Sequence, residues 1–194
     1  KELVELPWAA TEALEIRKIF GEDNTLILDG QRANFDSFRA SAAPGYDIIH
    51  FATHGYISDS NPDTAGLVLQ GSAAGDQVFV HWSEFSSLDL GSKLVVLNGC
   101  DTALGRELGG EGMLGLNRAF ISAGVPQTLT TLWKVADVPA SKIMATFYSE
   151  LKAGQTVAEA IRSAQLSLPD ANPRYRHPFF WAGYVVHTVG VDNG

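Results

Sequence analysis

Apolar residues recur along this chain in two periods, and the switches between them mark out the elements. Within residues 7–20, Ala13, Ile16, Ile19 and Phe20 fall on one side of a 3.6-residue period, which predicts a helix opened by Pro7. Residues 25–28 predict a short strand, and Asn34 is placed to cap a short helix reaching residue 40. Residues 46–52 predict a mostly apolar strand, and 66–70 and 77–80 two weaker ones. The run Leu94-Val95-Val96-Leu97, within 93–98, has the continuous apolarity of a parallel strand buried on both faces. A helix follows over 113–123, closed by Gly124, and then a β-prone run over 127–132. Ile143, Phe147 and Leu151 restore the helical period until Gly154. Thr156 and Glu159 form a capping box for a last helix whose core face is Val157, Ala160, Ile161, Ala164 and Leu168, ended by Pro169. Residues 181–189 predict the final strand.

Strands alternating with helices of these lengths imply a mainly parallel sheet covered by helices on both faces, a three-layer α/β architecture. At 194 residues, with no long Pro/Gly/Ser linker and no internal repeat, the chain reads as one domain over residues 1–194. It opens Lys-Glu-Leu-Val without an initiator Met, which suggests a piece excised from a longer protein. No apolar run approaches the roughly 18 residues of a membrane span, so no membrane partner is expected. The net charge is −8 and no dense Lys/Arg run is present, which argues against direct nucleic-acid binding. A single cysteine, Cys100, excludes an intramolecular disulfide and suits a reducing compartment, hence the cytoplasm.

Ligands of open parallel sheets bind beyond the carboxyl ends of the strands. Two reactive side chains stand there. His54 follows the strand over 46–52, and Cys100 follows the strand over 93–98. Adjacent strands lie about 4.8 Å apart, so if these two pair, the imidazole can reach the thiol. A free thiol, with a pKa of about 8.5, is mostly protonated at neutral pH. An imidazole beside it can take that proton and later deliver it to a leaving amine. Gly55 and Gly99 let backbone approach a substrate closely, and the amides of Gly55 and Cys100 are candidate oxyanion donors. A lone Cys and a lone His at strand ends are also compatible with a small core hydrophobe and a solvated imidazole.

Other groups read more plainly. His50 and His54 are four apart, but on a strand that spacing covers about 13 Å, too far for one metal, and no metal or organic cofactor is expected. His177, before Pro178, reads as structural. The glycines at 109, 110 and 112 flank Glu111 and lack the Lys-Ser/Thr of a phosphate loop, so this stretch reads as a loop beside the site. Asp137 reads either as the cap of the helix starting Val138-Pro139-Ala140 or, with Trp133, as a substrate-binding residue.

His-Phe-Ala-Thr-His-Gly at 50–55 and Val-Val-Leu-Asn-Gly-Cys-Asp-Thr-Ala-Leu-Gly at 95–105 resemble the CHAT domain, a bacterial family related to caspases and separase. The likeness continues through 110–120, 123–126, 131–137, 147–148, 159–162, 164–165 and 177–182, nearly the whole chain in the family's order. The resemblance implies a caspase-like fold and a cysteine endopeptidase with His54 as base and Cys100 as nucleophile. It implies oxyanion amides from Gly55 and Cys100, a protein or peptide substrate, and regulation by a partner or an N-terminal repeat domain. Where the family often has Ser-Ala before the cysteine, this chain has Asn98-Gly99, a departure that bears on loop geometry rather than on proton transfer. The alternative reading is a catalytically silent caspase-like domain acting as a protein-binding module.

Overall fold

A computed structural model describes residues 6–42, 45–57, 65–73, 75–98 and 111–189. The chain divides into two compact units. One comprises residues 1–27 and 134–184, the other 28–133 and 185–194.

The second unit holds two sheets. β1 (Ile48–Ala52), β5 (Leu94–Asn98), β6 (Gln127–Thr131) and β7 (Tyr184–Thr188) form a four-stranded sheet in the order β1-β5-β6-β7. β5 pairs in parallel with both β1 and β6, so the central sheet is mostly parallel. Every residue of β5 is buried, as its unbroken apolarity predicts. Val95 and Leu97 lie in one apolar core, while Leu94, Val96 and Asn98, on the opposite face of the pleat, are buried as well. β2 (Gly55–Ile57), β3 (Ala65–Gln70) and β4 (Gln77–His81) form a small antiparallel sheet in that order. Gly66 of β3 has no room for a side chain: a Cβ there would sit 2.1 Å from the carbonyl oxygen of Val80 and 2.7 Å from the ring of Phe79.

The core of this unit is built of phenylalanine. Phe38 comes from α2 (Phe35–Ala42), Phe85 from α3 (Trp82–Ser86), Phe120 from α4 (Glu111–Ser122) and Phe51 from β1. Phe85 is the hub, its ring centre 5.2 Å from Phe120 and 5.9 Å from both Phe38 and Phe51. Offset and edge-on contacts at such distances each add about 0.5–1.5 kcal/mol beyond area burial. Asn34 caps α2 as expected, its Oδ1 accepting from the N–H of Ser37 at 2.8 Å. α4 ends at a left-handed Gly124, φ +93°, with the N–H of Val125 donating to Phe120 O at 3.0 Å.

The first unit is helical. α1 (Pro7–Phe20), α5 (Asp137–Lys152) and α6 (Val157–Ala171) carry the predicted apolar faces. All five expected core residues of α6 are buried, and both halves of its capping box are made. Phe20 of α1 meets Tyr148 of α5 edge-on at 5.8 Å, and the Lys152 ammonium donates to Ile19 O. The helix over 143–151 begins earlier than its period alone implies, because Pro139 is tolerated in a first turn whose N–H groups lack helical partners.

Five expectations are corrected. Glu111 and Gly112, read as part of a loop, are the first residues of α4, while 109 and 110 lie outside the described residues. Residues 25–28 form no strand: Thr25 donates through N–H to Glu22 O and through Oγ1 to Gly21 O, closing a short turn, and no described strand pairs with them. Pro169 does not end α6. So close to the C-terminus a proline forfeits one backbone bond, and the last turn continues until Asn172 N–H reaches Leu168 O at 3.2 Å. The final strand starts at Tyr184 rather than 181, because Trp181 and Ala182 both donate to Pro178 O in a tight turn. Asp137 is not the cap of α5. Ala136 holds that position without a side-chain bond, and Asp137 is the first helical residue, where its charge suits the helix dipole.

Candidate active site

The geometry starts from register. β1 and β5 run parallel with Ala52 opposite Asn98, so both strands finish side by side. This is the pairing that the sequence required for its two reactive residues to start from adjacent strand ends. His54 stands two residues beyond Ala52 and is buried, 8% exposed. Asn98, the last residue of β5, is likewise buried at 5%. Cys100 and Gly99 lie outside the described residues.

The segment around His54 is held by the small sheet. The His54 carbonyl accepts from Val68 N–H at 2.8 Å, and Thr53 Oγ1 donates to Val68 O at 2.5 Å. The motif offered Thr53 only as a member of a string. Its hydroxyl bonds strand β3 fifteen positions away and so fixes the turn that presents the imidazole. The same ladder orients Gly55. Gly55 stands opposite Leu67, and the flanking His54–Val68 bond makes that pair the non-hydrogen-bonded kind of an antiparallel ladder. The Gly55 N–H therefore points away from β3, off the edge of the small sheet, instead of being used within it.

Other singled-out residues fall into place separately. His50 lies inside β1, on extended backbone as read from sequence. His81 caps α3, its Nδ1 accepting from Ser83 N–H at 3.3 Å. His177 has the structural role expected: its Nδ1 accepts from Phe179 N–H at 3.2 Å at the start of a short 3-10 turn. Trp133 follows β6 in the sheet-bearing unit and is half-buried. Asp137 belongs to the helical unit, where it lines a groove of about 400 Å³ with Trp8, Val138, Arg174, Tyr175 and Phe180. The sequence singled out neither Trp8 nor Arg174, and held Phe180 only within the string 177–182; the signal available was the aromatic density of 175–181, which includes Tyr175, Phe179, Phe180 and Trp181.

Burial, and secondarily the negative charge of Glu12, push the hydroxyls of Tyr148 and Tyr184 well above the ordinary tyrosine range. These groups stabilise the fold in their neutral form. Among the described residues no group of three His, Cys, Asp or Glu side chains is arranged to hold a metal. No described helix is long and apolar enough to cross a membrane.

Comparison with known proteins agrees with this architecture. The CHAT domain family matches residues 2–189. Tetratricopeptide repeat protein 28 from Mus musculus is 33% identical over 114 residues, which is 57% of this chain and 4% of that protein. Tetratricopeptide repeat protein 28 from Homo sapiens is 31% identical over 105 residues, 54% of this chain and 4% of that protein. The chain thus spans only a few per cent of the length of these curated relatives. With a mixed α/β fold, a mostly parallel central sheet consistent with a caspase-like fold and a family match across both units, the chain belongs to the CHAT domain family.

Proposed function

We propose that this chain is a cysteine endopeptidase domain in which Cys100 attacks the peptide carbonyl and His54 moves the proton. The parallel pairing of β1 and β5, with Ala52 opposite Asn98, is the observation that supports the reading. The thiol proton passes to the imidazole as the S–C bond forms, and the imidazolium then protonates the leaving amine as the C–N bond breaks. Water, deprotonated by the same imidazole, releases the acyl group and restores the thiol. The outward N–H of Gly55, together with that of Cys100, is proposed to hold the oxyanion. Trp133 and Asp137 are proposed as substrate contacts, Asp137 meeting a basic residue before the scissile bond through a charge-assisted hydrogen bond. The substrate is a protein, the compartment the cytoplasm, residues 1–194 act as one domain, and a neighbouring repeat domain or partner regulates it.

The deciding experiment treats the chain with an acyloxymethyl ketone probe and a fluorogenic peptide library, beside Cys100→Ala. Labelling and cleavage that vanish in the variant support the mechanism, and a basic residue before the cut supports the role of Asp137. Cleavage by Cys100→Ala at the parent rate removes the mechanism. A second reading, a silent protein-binding module, draws support from the relatives, which are named for their repeats rather than for an activity. An unlabelled but folded parent that still binds a partner would favour it.

A further inference from the structure

The helical unit carries a surface groove of which the proposed thiol chemistry uses only Asp137. The first turn of α5 and the segment from Pro173 to Phe180 line a groove of about 400 Å³, within the roughly 300–1,000 Å³ of ligand pockets. Its apolar lining is unusually open to water: Trp8 is 43% and Val138 37% exposed. Tyr175 and Phe180 stack edge-to-face at 5.4 Å, and Phe179 meets Phe180 at 5.9 Å while remaining 48% exposed. Clustered, exposed aromatic surface of this kind marks sites of association.

Charge narrows the partner. Arg174 lines the groove, Arg176 stands two residues on, and the Lys142 ammonium lies 5.5 Å over the centre of the Tyr175 ring. None of these three exposed cations makes an ion pair with another described residue. They are gathered on a protein whose net charge is −8. Among the described residues that line the groove, Asp137 is the one anion and Arg174 the one cation. Two of the cations lie beyond the lining itself, so a ligand reaching them must extend past the cavity.

We infer that this groove docks a short extended segment of a partner protein, one that sets a bulky apolar side chain among the aromatic rings and carboxylates against Arg174, Arg176 and Lys142. Arginine and aromatic anchors of this sort carry most of the energy of small interfaces. The rim charges supply orientation and association rate, and are screened by salt. Nucleic acid fits less well, because Asp137 stands in the wall and three cations are few for a phosphate backbone.

Fluorescence anisotropy on the 194-residue chain tests this with three labelled probes. The first is Glu-Asp-Glu-Leu-Phe-Pro-Glu-Asp-Glu; the second replaces every acidic residue by Lys; the third replaces Leu-Phe-Pro by Gly-Gly-Gly. The first is expected to bind, more weakly at higher salt, and the other two to bind about tenfold or more weakly. The exposed pair Arg174→Glu and Arg176→Glu is expected to weaken the first probe by about tenfold or more with an unchanged melting temperature. Tyr175→Ala supplies a second, apolar test. Equal binding of the Lys probe, no binding of any probe, or binding indifferent to both sets of variants overturns the inference. Polyuridylate that displaces the peptide and itself binds Tyr175→Ala undiminished assigns the patch to nucleic acid and overturns it too. Cys100→Ala is expected to bind the probe like the parent, so loss of hydrolysis and loss of docking are read independently.

Discussion

The helical unit and the sheet-bearing unit solve burial differently. In the helical unit the buried polar groups are ionisable and enclosed: Glu12 on α1, Tyr148 on α5, and Tyr184, the residue that opens β7. In the sheet-bearing unit most of the buried polar groups sit on or beside strands: Asn98 and Thr131 at strand ends, Thr128 and Thr130 on β6, Ser92 before β5 and His54 just past β1, while Asn117 on α4 accepts from Thr128 Oγ1. Charge follows the same division. Residues of the helical unit include nine Lys/Arg and ten Asp/Glu, those of the other unit five and twelve. Polarity inside a helix bundle must be satisfied within the bundle and mainly affects stability. Polarity at the end of a parallel sheet faces the crevice where chemistry is possible. The contrast fits the two proposals above, acid–base chemistry past the ends of β1 and β5 and partner docking on the helical unit.

The largest expected effect tests the sheet end. His54→Ala is expected to lower peptide turnover by about 10²–10⁴-fold while leaving a cooperative thermal transition. Alkylation of the thiol by iodoacetamide near neutral pH should slow in parallel, since the thiolate loses its partner. Undiminished turnover and alkylation together would return His54 to a structural role.

Next comes the phenylalanine core. Phe85→Ala should cost about 3–5 kcal/mol, read as a lower urea midpoint, because the ring is fully buried at the hub of the cluster. A loss below about 1 kcal/mol would mean that α3 packs loosely and that the sheet-bearing unit is not organised around this residue.

Alkali should then separate the two units. The hydroxyls of Tyr148 and Tyr184 have folded pKa values raised above the unfolded value near 10.0. An acid whose folded pKa is raised contributes stability present below the unfolded pKa and lost as pH rises above it. Absorbance of tyrosinate from two of the five tyrosines should therefore appear only together with unfolding. Tyr148→Phe should shift the alkaline unfolding midpoint upward. Early, non-cooperative ionisation of all five would show that the helical core admits water.

The smallest effect concerns the cap of α6. Thr156→Ala should cost about 0.5–2 kcal/mol in thermal or urea unfolding. Glu159 is held below the ordinary carboxylate range by the Thr156 side chain first and its backbone N–H second. Its contribution is present above the unfolded pKa and fades as pH falls through the folded one. The variant should thus show a flatter decline of stability with acid, and an identical acid profile would leave the capping box without energetic weight.

Local chemistry is strong where the sequence was legible. The continuous apolarity of β5, the capping box at Thr156 and the left-handed glycines at 124 and 154 each depend on a few neighbouring residues, so pattern alone determined them. The positions of His54 and Cys100 relative to their strands, and the family resemblance carried by 50–55 and 95–105, were likewise matters of sequence. Pairing was not. Whether β1 lies beside β5 depends on contacts between residues more than forty positions apart, and only the tertiary structure decided that Ala52 faces Asn98. Residues 25–28 have strand propensity but pair with no described strand, and Pro169 sits where helix packing outweighs one missing bond. The Thr53 clamp, the outward Gly55 amide and the groove that brings Trp8 to Arg174 all join distant segments. Propensity acts over a turn or a strand, whereas register, clamps and grooves are set by which surfaces bury one another.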